Sequence, residues 1–229
     1  MWFQPCTWVL SMKSTIRLLA DTATVIAVLI TVFLLGIHFL VEKDNFAEIP
    51  ARTQRDLEDW KRYAVGQHVG PTDAPVVIVI WCDYECPVCR WFHNQLGAVR
   101  EEYLGDLAIF YRHWPRTSKP FASAAAQAAE CAAYQGAFEA FQEELYKDLR
   151  WREIGFLTVA QRAGVQALPD FVTCLAGIEP LISIEQDVEA VRRIGGTGTP
   201  TVIFNGTLLG STPDSIRLET MIVDVLHRR

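Results

Sequence analysis

From residue 22 to residue 41 no Asp, Glu, Lys or Arg interrupts the chain. A helix of that length spans about 30 Å, the thickness of a hydrocarbon core, so the run predicts one N-terminal transmembrane helix. Polar and charged positions dominate from 42 to 70, which reads as a stalk; within it RTQRDLEDWKRYA is spaced for a short helix that Gly66 ends. The β-branched run PVVIVIW follows, too brief for a helix and suited to a buried strand. Then Val88, Trp91, Phe92, Leu96, Val99 and Tyr103 recur at helical spacing up to Gly105. LAIFYRHW predicts a second strand. The Ala-rich text from Phe121 to Leu149 predicts helix paused at Gly136, with shorter helical segments up to Arg193. In GGTGTPTVIFNGTLLG a glycine-rich turn precedes two apolar runs separated by Asn205-Gly206, a strong hairpin signal. The last segment predicts a helix with Thr212 as N-cap and Pro213 at the first helical position. Strand, helix, strand, a block of helices, hairpin and helix make a mixed α/β protein: one sheet with helices on both faces.

Charge adds an orientation. Lys13 and Arg17 precede the apolar run, whereas Glu42, Lys43 and Asp44 after it are net acidic. The positive-inside rule therefore keeps residues 1–21 in the cytoplasm and exports the rest. The run is long for a signal-peptide core and no A-x-A site follows it, so an uncleaved signal anchor is expected. His38, near its outer end, reads as an interfacial side chain. Met12 offers a second possible start, which would make residues 1–11 a leader. The formal net charge of −6 argues against a nucleic-acid partner, which needs a basic face.

Six cysteines bring in chemistry: Cys6, Cys82, Cys86, Cys89, Cys131 and Cys174. Cys86 falls where a strand hands over to a helix, Pro87 at the first helical position, Val88 next, and Cys89 one turn on. Unpaired N–H groups at a helix start favour a thiolate, the form that attacks disulfides. Cys89 is spaced to close or resolve a disulfide with Cys86. A zinc site would need a second C-x-x-C or a histidine pair, and His93 and His113 lack that spacing; both read as surface or packing residues, and no metal is expected. Cys82, Cys86 and Cys89 also form C-x3-C-x2-C, the spacing of a radical SAM iron–sulfur site, but no repeated strand–helix alternation follows. Cys82 otherwise reads as a small residue filling a strand end. Gly198-Thr199-Pro200-Thr201 precedes a strand, where Pro200 is either an edge residue or the site of a cis bond.

Together GPTDAPVVIVIWCDYECPVC, YRHWP, AAAQAAECAAYQGAF, FVTCLAG and GGTGTPTVIFNG resemble the DsbA-like branch of the thioredoxin superfamily, with its D-[FY]-x-C-P-x-C active site. The resemblance runs from about Gly70 to the C-terminus. It implies a thioredoxin domain over 71–229 with a helical insertion at roughly 115–193. It implies Cys86 and Cys89 as the catalytic pair, Pro200 as a cis-proline facing them, and Thr199 as a backbone partner for substrate. Three positions depart from the family pattern. Val88 stands where the strongest oxidases have His, which would favour the thiolate. Ile80 stands where many relatives carry a proton-shuttling acid; Asp83 and Glu85 are close by but read as solvated loop residues. Thr199 stands where others have Val. Cys131 and Cys174 read either as buried small hydrophobes or, in an exported domain, as a structural disulfide; the resemblance implies that pairing. The expected function is thiol–disulfide exchange with cysteine-containing exported proteins, as an oxidase, with no cofactor beyond the redox disulfide. A membrane quinone-linked partner would reset the pair. The reverse direction, reductase or isomerase, is the alternative, and a non-catalytic peptide-binding module a more remote one.

Overall fold

The computed structural model describes residues 29–34, 54–147 and 149–228, and the chain divides into units Met1–Ile49 and Pro50–Arg229. In the first unit residues 29–34 are helical with exposed side chains. The rest of the span expected at 22–41, with residues 1–21 and 42–53, lies outside the described residues. Among the described residues no helix is long and apolar enough to cross a membrane.

The second unit is built on a six-stranded sheet. Its strands are β1 (Arg55–Asp56), β2 (Gln67–Val69), β3 (Val76–Cys82), β4 (Leu107–His113), β5 (Thr201–Phe204) and β6 (Thr207–Leu208), in the order β1-β6-β5-β3-β4-β2. Strand β3 runs parallel to β4, from Val76 opposite Leu107 to Cys82 opposite His113, and antiparallel to β5, from Ile78 opposite Phe204 to Trp81 opposite Thr201. Its apolar run is continuous because both faces are covered. The eight α-helices of this second unit are, among its described residues, α1 (Pro87–Arg100), α2 (Ala122–Ala133), α3 (Phe138–Lys147), α4 (Trp151–Ile154), α5 (Phe156–Arg162), α6 (Leu168–Leu175), α7 (Glu179–Arg193) and α8 (Ser215–His227). Val76, Ile78 and Ile80 face one core with Phe92 and Leu96 of α1, Leu218 and Ile222 of α8, and the alanines of α2. Val77, Val79 and Trp81 face a second core with Val191 of α7 and Tyr63. Burying each large side chain here is worth about 1.5–3 kcal/mol, so β3 anchors both layers.

Helices α2–α7 all fall between β4 and β5, where the helical insertion was expected. The pause at Gly136 separates α2 from α3, with φ of +69° at that glycine. Asn205 (φ +42°) and Gly206 (φ +93°) turn the β5–β6 hairpin. Two expectations need correction. The helix expected over RTQRDLEDWKRYA is instead strand β1, paired with β6, followed by a 3-10 turn at Trp60–Tyr63. Together with β2 on β4, this places residues 55–69, read as stalk, on the two edges of the sheet. The cap of α8 is Asp214 rather than Thr212: its Oδ1 accepts the Arg217 N–H at 2.8 Å, and Pro213 precedes the helix.

Candidate active site

Strand β3 ends at Cys82, and four residues later the chain enters α1. Asp83 shapes this turn. Its backbone carbonyl accepts the Cys86 N–H at 3.0 Å, its Oδ1 accepts the Glu85 N–H at 2.7 Å, and its Oδ2 accepts the Arg116 N–H at 2.9 Å. Glu85 points the other way, accepting the Phe121 N–H at 2.8 Å and pairing with Arg152 at 2.6 Å. Both acids are buried, which corrects their reading as solvated loop residues. They tie the β3–α1 turn to the segment entering α2 and to α4. Burial raises the pKa of Asp83, against the pull of the Arg116 and Glu85 N–H groups.

Cys86 is the N-cap of α1, with extended φ and ψ of −85° and 118°, and Pro87 occupies the first turn. The Cys86 thiol is half-buried and donates to the Thr199 carbonyl at 3.3 Å. The Thr199–Pro200 peptide bond is cis. Two segments more than a hundred residues apart thus meet at one sulfur: the start of α1 and the loop entering β5. Cys89 lies one turn on, wholly buried, and its Sγ accepts the Asp83 N–H at 3.4 Å. Val88, between them, is exposed and apolar.

The electrostatics of the reduced pair differ from the helix-start expectation. The Cys86 thiol is held above its ordinary pKa, first by its hydrogen bond with the Cys89 thiol and then by burial. The Thr199 side chain and the Cys89 N–H pull the other way without winning. Cys89 is raised too, first by burial and then by a hydrogen bond with the Cys82 thiol. A helix start does favour the Cys86 thiolate, but a second thiol in contact and partial desolvation outweigh it.

Several neighbours were not anticipated from the sequence. Cys82 is half-buried and packs against the core that holds Cys89 and Tyr146. Tyr146 and Tyr84 pack with ring centroids 5.0 Å apart, and Tyr84 also packs on His113. His113 Nε2 meets Glu130 Oε1 at 2.8 Å, both buried. Burial alone would raise the pKa of Glu130, but the hydrogen bond and charge of His113 leave it lowered. On the other face Asp187 accepts the His113 backbone N–H at 2.7 Å and pairs with Arg112. His93, read like His113 as surface or packing, is buried, stacks on Tyr146 at 4.6 Å and meets Glu143 at 3.0 Å. A lone acid in an Ala-rich helix was the one signal that could have marked Glu130. Ile80 is buried in the same core as Cys89, so β3 offers that thiol no carboxylate.

Away from the site, a disulfide joins Cys131 of α2 to Cys174 of α6, with Cα atoms 5.7 Å apart. Among the described residues no group of three or more His, Cys, Asp or Glu side chains is arranged to hold a metal ion. Cys6 lies outside the described residues.

A family model described as thioredoxin matches residues 64–224. The Na(+)/H(+) antiporter NhaA 1 of Mycolicibacterium vanbaalenii is 32% identical over 141 residues, 60% of this chain but 23% of the antiporter; the chain thus spans under a quarter of that relative's length. A probable disulfide bond formation protein D of Bacillus anthracis is 27% identical over 166 residues, 68% of this chain and 76% of that protein. Among solved structures, oxidised BdbD from Bacillus subtilis superposes with a TM-score of 0.63 at 20% identity, covering 75% of this chain and 97% of its own, a likeness of fold.

Proposed function

This chain belongs to the thioredoxin family, and on that premise we propose that it is a DsbA-like protein thiol–disulfide oxidoreductase. The observation that carries the reading is the meeting of the Cys86 thiol with the Thr199 carbonyl, beside a cis Thr199–Pro200 bond and one turn from the buried Cys89. Cys86 is the accessible sulfur and Cys89 the protected one. A substrate thiolate attacks Cys86 Sγ of the Cys86–Cys89 disulfide; that bond breaks, and Cys89 leaves and takes a proton. A second substrate thiolate attacks the substrate sulfur of the mixed disulfide and releases Cys86. The substrate loses two electrons and the pair gains them. Thr199, next to the cis bond, is placed to bond a substrate backbone beside the reacting sulfur.

Its working place in this reading is the outer side of a membrane, held by the apolar run at residues 22–41, where cysteine-containing exported proteins are the substrates. A membrane quinone-linked partner then reoxidises the pair. One observation favours the opposite direction. With Cys86 held above its ordinary pKa and Val88 in place of an imidazole, the reduced state gains little from a thiolate, which makes the pair a weaker oxidant and suits a reductase or isomerase. The reduction potential of the pair, measured against glutathione, decides between them. A value well above the glutathione poise of the compartment supports the oxidase, and one well below it the reductase. A Cys86–Cys89 pair that never equilibrates with glutathione would overturn thiol–disulfide exchange altogether.

A further inference from the structure

Cys89 has no exposed surface, yet every exchange changes its protonation: it takes a proton when it leaves Cys86 and loses one before it attacks again. The four buried carboxylates among the described residues are engaged elsewhere. Asp83 accepts the Glu85 and Arg116 N–H groups, Glu85 accepts the Phe121 N–H and pairs with Arg152, Glu130 meets His113, and Asp187 pairs with Arg112. Three buried side-chain nitrogens among the described residues have no hydrogen-bond partner: His93 Nδ1, Arg100 Nε and Gln142 Nε2. Of these only the imidazole gives up and regains a proton near neutral pH. His93 stands four residues after Cys89 in α1, and both are buried. Residues at that spacing share one helix face, with Cβ atoms about 5–6 Å apart, and helical side chains lean back over the preceding turn. The other ring nitrogen, Nε2, meets Glu143 Oε1 at 3.0 Å, and the ring lies on Tyr146 with centroids 4.6 Å apart. Glu143 is half-exposed and, with His93, lines a cleft of about 410 Å³ between α1 and α3. The imidazole thus has one nitrogen on a carboxylate that reaches solvent and the other in the interior, a turn from the buried sulfur.

We propose that His93 is the proton carrier of the buried Cys89, with Glu143 as its positioning residue and the cleft between α1 and α3 as its outlet to solvent. When a disulfide oxidises the pair, Cys86 attacks it first and a mixed disulfide forms. Nδ1 then takes the Cys89 proton. The Cys89 thiolate attacks Cys86 Sγ, the bond from Cys86 to the outside sulfur breaks, and the Cys86–Cys89 bond forms; the departing sulfur carries off the second electron pair as a thiolate. The imidazolium gives its Nε2 proton to Glu143 and so to solvent, and the ring keeps the proton on Nδ1. There it serves the opposite direction: Cys89 leaves Cys86 as a thiolate, Nδ1 protonates it, and Nε2 is reloaded from the cleft. In the dithiol form Nδ1 is not bonded to the sulfur, and a bond of this kind tightens when charge appears there. The hydrogen bond from His93 also lowers the pKa of Glu143, so a carboxylate is present to hold the imidazolium. The other titratable groups on the cleft keep one charge state near neutral pH: Arg90 and Lys147 are cations, and burial raises Tyr146 well above its ordinary pKa. The inference rests on Cys86–Cys89 being the exchanging pair and deepens that reading.

The test is a quenched-flow reaction of the reduced full chain, and of its His93→Phe and Glu143→Gln variants, with glutathione disulfide. Acid quenching and intact-mass spectrometry follow two steps: loading of glutathione onto Cys86, and its release as Cys89 closes the disulfide. Phenylalanine keeps a ring against Tyr146 but carries no proton. In His93→Phe the release step should slow by about a hundredfold at pH 7 and then climb by about tenfold per pH unit as hydroxide takes over the proton, while loading keeps its rate. Glu143→Gln keeps a hydrogen-bond partner without the charge and should slow release several-fold, again with loading unchanged. Equal slowing of both steps in His93→Phe with the pH profile of the unmodified chain would make His93 a packing residue and overturn the proposal. Release at the unmodified rate in His93→Phe would overturn it too. Should that variant fail to fold, Glu143→Gln decides, and an unaltered release step there overturns the proposal. An unmodified chain that neither loads glutathione nor closes a disulfide would overturn the exchange reading itself.

Discussion

Cys86 is raised above an ordinary thiol chiefly by one neighbour, the Cys89 thiol, and that makes its reactivity separable from its position at the helix start. Only the thiolate attacks, so a raised pKa leaves the reduced pair slow at neutral pH, with reactivity still climbing at pH values where a free cysteine has levelled off. Cys89→Ala removes the largest raising cause and keeps the N–H groups of the first turn. The pKa of Cys86 should fall, and its alkylation by iodoacetamide at pH 7 should speed up by about tenfold for each pH unit of that fall. A stopped-flow pH profile of both proteins checks it; an unchanged or slower Cys86 in the variant would mean that burial alone sets the thiol. Cys86 and Cys89 were legible in the sequence because their chemistry is local, a cysteine at a strand-to-helix switch and its partner one turn on; the local sequence left the cis bond at Pro200 open, and only the family resemblance implied it. Asp83 and Glu85 were not. Their burial is decided by the N–H groups of Arg116 and Phe121 and by the Arg152 guanidinium, which the chain brings back 33 to 67 residues later. The same holds for Cys82, which packs against a core whose Cys89 and Tyr146 lie on two different helices.

At the scale of elements, long apolar runs were readable and short edges were not. The seven residues of β3 announce themselves because both faces are buried. Strands β1 and β2, of two and three residues, owe their conformation to the partners they pair with, so their local text could not separate them from a helix or stalk. The β5–β6 hairpin shows what local chemistry and tertiary contact do together. Asn205 adopts the positive φ that the turn requires, and its side chain bolts the turn to β3: Oδ1 accepts the Val77 N–H at 2.6 Å and Nδ2 donates to the Pro75 carbonyl at 3.0 Å. Asn205→Ala loses both bonds, at about 1 kcal/mol each, and adds a conformational penalty of about 1 kcal/mol more. The variant should be less stable by about 2–4 kcal/mol in urea unfolding, while Asn205→Gly, free of the φ penalty, should lose less. Equal losses would assign the whole effect to the side-chain bonds, and no loss in either would show that the hairpin does not need this anchor. Because β5 begins one residue after Pro200, the anchored hairpin also holds the loop that faces Cys86.

For the molecule as a whole, the redox pair and the helical insertion are joined through the buried side chains of Asp83, Glu85 and Glu130, and the insertion carries its own covalent tie. Cys131 and Cys174 lie 43 residues apart in sequence, and α2, which carries Cys131, also supplies Glu130 against His113 beside the site. Closing a loop of that size lowers the entropy of the unfolded chain and stabilises the fold by roughly 4 kcal/mol in the chain-entropy model. That is a large share of the roughly 5–15 kcal/mol by which an ordinary domain is stable. Replacing both cysteines with alanine should therefore reduce the unfolding free energy by roughly 3–4 kcal/mol, seen as a lower urea midpoint with little change in slope. The sulfurs of the active site lie on β3 and α1, outside the closed loop, so the Cys86–Cys89 pair should keep its potential in the folded variant. The two readouts separate two roles of the insertion. A stability loss with an unshifted potential makes the disulfide a brace for the fold. A shifted potential with intact stability would mean that the brace acts on the site itself, with strain in α2 reaching the sulfurs through Glu130, His113 and Tyr84.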